Sequence, residues 1–141
     1  GLAMSAMQRR KGGRRVKWLS RQMAMPGPCL TLCLSQQEFN AICRPMGLPD
    51  TPFISGGFGG RTHFVQRDDG EMTAIVCIGL TEDHSAVQIA ALLVHEAVHV
   101  WQHYCESINE HDPASEQEAY GIQSLSQSLM AEYARRVGKW A

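Results

Sequence analysis

At 141 residues and 44% hydrophobic, the chain can bury a core without disulfide or metal staples and suits one domain. No stretch approaches the ~18–20 apolar residues of a membrane span, and the basic N-terminal run leads into Arg21, Met23, Pro26 and Pro28 rather than the apolar core of a signal peptide. The net charge of −1 hides a split: residues 1–21 hold seven Lys and Arg and no acid, whereas the remainder holds six against fourteen Asp and Glu.

In chain order, residues 1–22 read as a flexible basic arm with a Gly12-Gly13 pair, dense like charge and little apolar periodicity. Such an arm suits contact with nucleic acid, an acidic partner or the acidic body of its own chain, with Trp18 and Leu19 placed to dock its end. Residues 23–141 read as a single domain. Ser35 followed by Glu38 is a capping box, so a helix is expected from about Gln36 to Arg44, with Phe39, Ile42 and Cys43 inward and Pro45 stopping it. Residues 45–60 hold three prolines and five glycines, an irregular loop.

Two strands are expected next, Thr62–Gln66 and Met72–Ile78, joined through Arg67-Asp68-Asp69-Gly70. The run Ala74–Ile78 is apolar on both faces and should be covered. A long helix follows from about 83–85 to 104–107, apolar nearly all round in its first half and therefore central. Ser115 can cap a last helix from about Glu116 to Arg136, with Ile122, Leu125, Leu129 and Tyr133 along one stripe. The fold class expected is α+β, a small antiparallel or mixed sheet packed on two long helices. Five cysteines, an odd number with no C-x-x-C pair, read as buried thiols of a reducing compartment, and so as a cytoplasmic protein.

The chemistry-bearing phrase is His95-Glu96-Ala97-Val98-His99, in the long helix. An i, i+4 spacing puts both imidazoles on one helix face, where they can bind one Zn²⁺ at ~2.0–2.1 Å each. In an H-E-x-x-H arrangement Glu96 then lies beside the metal-bound water as a general base. The flanking residues Leu92, Leu93, Val94, Val98, Val100 and Trp101 are apolar, and polar side chains buried among them need partners. A catalytic zinc takes a third protein ligand and keeps a fourth position open. His103 continues the i, i+4 series, but three turns of one helix cannot converge on one ion, so it reads as a supporting or surface residue.

Glu116-Gln117-Glu118-Ala119-Tyr120 begins 17 residues after His99, room for a turn and an antiparallel return. Here the sequence resembles the gluzincin metallopeptidases, which carry H-E-x-x-H on one helix and a ligand Glu on a following one, often as E-x-x-A and then Asp, Asn or Tyr. The resemblance spans about residues 72–130. It implies a minimal zincin-like domain with the metal between the two long helices. Its third ligand would be Glu116, with Ala119 as the small packing residue and Tyr120 in support. Glu118 is the alternative ligand, although it falls in line with the apolar Ile122, Leu125 and Leu129. The phrases His95–Gln102 and Glu118–Gln123 also resemble small metallopeptidase-like proteins of phages and prophages. The resemblance further implies that the strand before the motif helix, Met72–Ile78, pairs with an extended peptide. Larger relatives take their oxyanion donor from a downstream domain. The candidates within these residues are His63, His84, His111, Tyr104 and Tyr120, with His63 first.

The function expected is therefore a zinc-dependent hydrolase acting on a peptide or protein, with Glu96 as general base and His95, His99 and Glu116 on the metal. A metal-dependent hydrolase of non-peptide substrates is a second possibility. A third is a non-enzymatic phage-type binding protein with a structural zinc and a nucleic-acid-contacting arm. Structural zinc sites are usually closed by four protein ligands and rich in Cys, which this donor set is not.

Overall fold

The strand Met72–Ile78 carries apolar residues on both faces, and burial on both sides is what the fold provides for it. The computed structural model describes residues 29–54, 59–66, 70–79 and 81–138. The basic arm expected over residues 1–22 and the turn residues 67–69 lie outside the described residues. In chain order the elements are β1 (Cys29–Cys33), α1 (Gln36–Cys43), β2 (Gly60–Gln66), β3 (Met72–Ile78), α2 (Ala86–Ser107) and α3 (Ser115–Val137). Among the described residues the architecture is α+β, a three-stranded mixed sheet with three α-helices. No helix among the described residues is long and apolar enough to cross a membrane.

The sheet order is β1-β3-β2. β3 pairs in parallel with β1, Thr31 opposite Ile75, and antiparallel with β2, His63 opposite Ile75. Alternation along the strands divides the sheet into two faces. Leu30, Leu32, Phe64, Ala74, Val76 and Ile78 face α2 and α3. On the other face Cys33, Val65, Ile75 and Cys77 meet Phe39, Ile42 and Cys43 of α1. This topology corrects the expectation that Met72–Ile78 offers an edge to a peptide. Both of its edges are taken, and the open edge on the site's side belongs to β2, which has β3 on one flank and no strand among the described residues on the other.

Local chemistry explains the element ends. The Ser35 hydroxyl accepts the Glu38 N–H at 3.1 Å, while the Glu38 carboxylate reaches one residue further back, to the Leu34 N–H at 3.0 Å. Pro45 does not stop α1 outright. The chain tightens into a 3₁₀ turn over Arg44–Met46 and leaves through Gly47 at φ 69°, a left-handed conformation that glycine adopts without strain. α2 opens with a full capping box, Ser85 and Gln88 bonding each other's backbone N–H. α3 differs from expectation: Ser115 lies inside the helix, Ala114 is the N-cap, and no side chain caps it. At the far end of α3, Arg136 donates to the Leu32 carbonyl at 2.9 Å and to the Glu38 carboxylate, tying the helix to β1 and α1. All five cysteines are buried thiols.

α2 and α3 pack at one close point. A Cβ built on Gly121 would stand 2.3 Å from Cζ3 and 2.5 Å from Cε3 of Trp101, whose ring is fully buried. Beside it the Trp101 indole N–H donates to Glu118 Oε2 at 3.0 Å. Gly121→Ala should therefore lower stability by about 1–3 kcal/mol through overpacking, against the ~1 kcal/mol that alanine gains in helix propensity. Urea denaturation measures it, and an unchanged or raised midpoint would refute this account of the helix contact.

Candidate metal centre and groove

The i, i+4 spacing does what helical geometry requires. His95 and His99 stand on one exposed face of α2, with Nε2 atoms 3.1 Å apart and ring centroids 4.8 Å apart. The two nitrogens share a hydrogen bond, at a separation close to the ~3.3 Å that two imidazole nitrogens at ~2.0–2.1 Å from one tetrahedral ion would have. His99 Nδ1 is 3.2 Å from Gln102 Oε1. A carbonyl oxygen only accepts, so Nδ1 carries the proton and Nε2 presents its lone pair.

Glu96 is one residue further round the helix, and the 100° step turns it from the open face toward the sheet. It is only 3% exposed. Its Oε1 accepts the Thr62 hydroxyl at 2.8 Å. Its Oε2 lies along Gly60, where a built Cβ would approach it to 3.3 Å. The glycine thus gives the carboxylate its room and the threonine its orientation. Nothing in the motif names these two residues, which are remote in sequence and come from β2.

The His face of α2 and the neighbouring edge of β2 bound a groove of about 510 Å³. Beyond the pair it continues past Gln102 to Glu106, with Phe64 and His103 stacked at 3.9 Å and 9° on one wall and Arg61 on the rim. His103 therefore packs on an aromatic ring rather than joining the pair.

The expected third ligands are placed elsewhere. Glu118 is half-buried and accepts from Trp101; Glu116 is exposed on the first turn of α3. Among the described residues, no three His, Cys, Asp or Glu side chains form a group able to hold a metal ion. The site offers two imidazole donors, His95 and His99, and the groove opens between α2 and β2. The first oxyanion candidate is not brought to it. His63 points to the opposite face of the sheet, its Nε2 2.9 Å from the Phe53 carbonyl and its ring 4.5 Å from that of Phe39. Tyr104 is buried, His111 bonds Asn109 at 2.8 Å, and Tyr120 is 66% exposed. Neither these three nor His84 is among the residues lining the groove.

Burial pushes the His63 pKa below the ordinary value; the Phe53 carbonyl pulls it back in part, and nearby Arg61 adds to the lowering. The folded chain therefore resists a proton that the unfolded chain takes up. The stability linked to His63 is present above the ordinary histidine pKa of about 6.5 and is lost as pH falls from there toward the folded value. Denaturation midpoints between pH 7.5 and 5 should fall less steeply in His63→Gln than in the native chain. Equal slopes would show that His63 is not the group responsible.

This chain matches no protein-family model, no curated protein and no solved structure.

Proposed function

We propose that this chain is a zincin-like, zinc-dependent hydrolase, and a peptidase in particular. The observation that carries the reading is the convergence of His95 Nε2 and His99 Nε2 to 3.1 Å, with Glu96 lining the same groove. His95 and His99 would hold the metal, and the gluzincin resemblance makes Glu116 the third ligand. Bound there, zinc supplies Lewis acidity, drawing the pKa of a coordinated water toward ~7 and polarising a carbonyl.

The chain's own residues would do the rest. Glu96 is the general base: Oε1 is held by Thr62, and Oε2 takes the proton and returns it to the leaving amine. Gln102 keeps the His99 lone pair turned outward. The open edge of β2 gives an extended chain backbone partners next to these groups. A structural zinc is less favoured because both histidines stand exposed in an open groove rather than in a closed cage.

The test separates coordination from chemistry. Protein purified without added metal should carry one zinc per chain by elemental analysis, and His99→Ala should lose most of it. Glu116→Gln should bind zinc more weakly because a charged ligand is gone. Glu96→Gln should keep zinc and stability, yet lose ~10²–10⁴-fold of the hydrolysis of a casein or degenerate-peptide mixture. Unchanged zinc in His99→Ala would sink the metal site. Full hydrolysis in Glu96→Gln would falsify the general-base mechanism.

A further inference from the structure

The edge of β2 that no strand among the described residues covers has a hollow on each side. One is the groove of His95, Glu96 and His99. The other, about 350 Å³, opens on the opposite face of the sheet between β2, α1 and the segment after α1. Phe39, Leu48 and Val65 give it apolar walls, and Thr51, Arg61 and His63 give it polar ones. Both hollows touch Arg61, Thr62 and Phe64, so only the width of the strand divides them.

The ladder shows what that edge presents. The Gly79 N–H donates to the Gly59 carbonyl at 2.9 Å, one step beyond the Gly60–Ile78 pair and in the same register. Antiparallel pairs alternate between bonded and non-bonded. Arg61, His63 and Val65 therefore exchange backbone bonds with β3, while Thr62 and Phe64 turn their N–H and C=O groups to the open edge. An extended chain bonded there must send alternate side chains to opposite faces. One set meets the groove, and the other meets the hollow beside α1.

We propose that this second hollow is a side-chain pocket, selecting an aliphatic residue over a cationic or small polar one in an extended peptide bound along β2. The proposal deepens the peptidase reading and rests on it for the reaction in the groove. Walls of Phe39, Leu48 and Val65 favour apolar burial. Arg61 in the lining repels a Lys or Arg side chain. Because successive same-face side chains are two residues apart, the selected residue lies one position from a residue whose side chain enters the groove.

The experiment uses the whole 141-residue chain as Glu96→Gln, so that binding is read without cleavage. The probe is a capped pentapeptide of alternating threonine and valine, compared with its serine-for-valine counterpart in an NMR titration. The amides of Thr62 and Phe64 and the methyls of Leu48 and Val65 should shift together, and the serine peptide should bind at least about fivefold more weakly. Leu48→Asp should remove that difference; if that variant does not fold, Val65→Thr should narrow it. Shifts at Thr62 and Phe64 with Leu48 and Val65 unmoved, equal affinity for the two peptides, or no binding would each overturn the pocket. So would peptide-independent shifts that grow with protein concentration, since a second copy would then occupy the edge. None of these outcomes depends on zinc content or hydrolysis, so the peptidase reading stands or falls by its own test.

Discussion

A carboxylate buried to the degree of Glu96 must find a hydrogen-bond donor, and the donor is the Thr62 hydroxyl. That requirement links the motif helix to the edge strand. With Thr62 under Glu96, Phe64 comes to lie against His103 two turns along the helix, so β2 runs beside the exposed His face of α2. The groove is the space left between them. The same contact explains Gly60: any side chain there would press on Glu96 Oε2, the Ile78 side chain and the Cys77 carbonyl together.

α2 meets three environments at once, and its sequence divides accordingly. Ile89, Leu93, Ala97, Val100 and Tyr104 belong to the core between helix and sheet. Trp101 faces α3, where Gly121 allows the close approach and Glu118 takes the indole proton. His95, His99, Gln102 and Glu106 fall at i, i+4, i+7 and i+11, a single row left to solvent. A helix pinned on two sides cannot roll freely. The direction of the histidines is thus set by apolar packing elsewhere on the same helix, a form of preorganisation that leaves the groove face available for chemistry.

Much of this was legible in the residues. The long helices, the β2–β3 hairpin and the inward set of α1 follow from period, with side-chain caps marking α1 and α2 but not α3. β1 was not legible: Cys29–Cys33 is only five residues, buried throughout, so it shows no alternation to separate strand from loop. Missing β1 carried a second error with it. Apolar residues on both faces of Met72–Ile78 correctly implied a covered strand, but without β1 its second edge looked open. The orientation of His63 was within reach. Phe64 faces the α2 core, and strand alternation then sends His63 to the other face. Thr62 carried no such signal, since its role depends on Glu96, 34 residues away.

The gluzincin resemblance implies Glu116 as the third ligand of a metal held by His95 and His99, and the other donors along the groove are poorly placed for that role. Glu106 is seven residues beyond His99 on the same helix, ~10 Å along the axis, and His103 is held against Phe64. The residues of β2 that face the groove are Gly60, Thr62 and Phe64, none of them a usual zinc ligand. Residues 1–28, 55–58 and 139–141 contain no His, Cys, Asp or Glu. Glu116 is exposed on the first turn of α3, and recruiting it to the histidines would have a defined cost. Glu116 and Glu118 are 200° apart on the helix, so rolling the first turn to bring Glu116 toward the histidines draws Glu118 from Trp101. A buried indole N–H left without an acceptor costs ~1–3 kcal/mol. A charged ligand on zinc can offset a loss of that size, which makes the Trp101–Glu118 bond the contact through which metal binding and helix packing would be coupled.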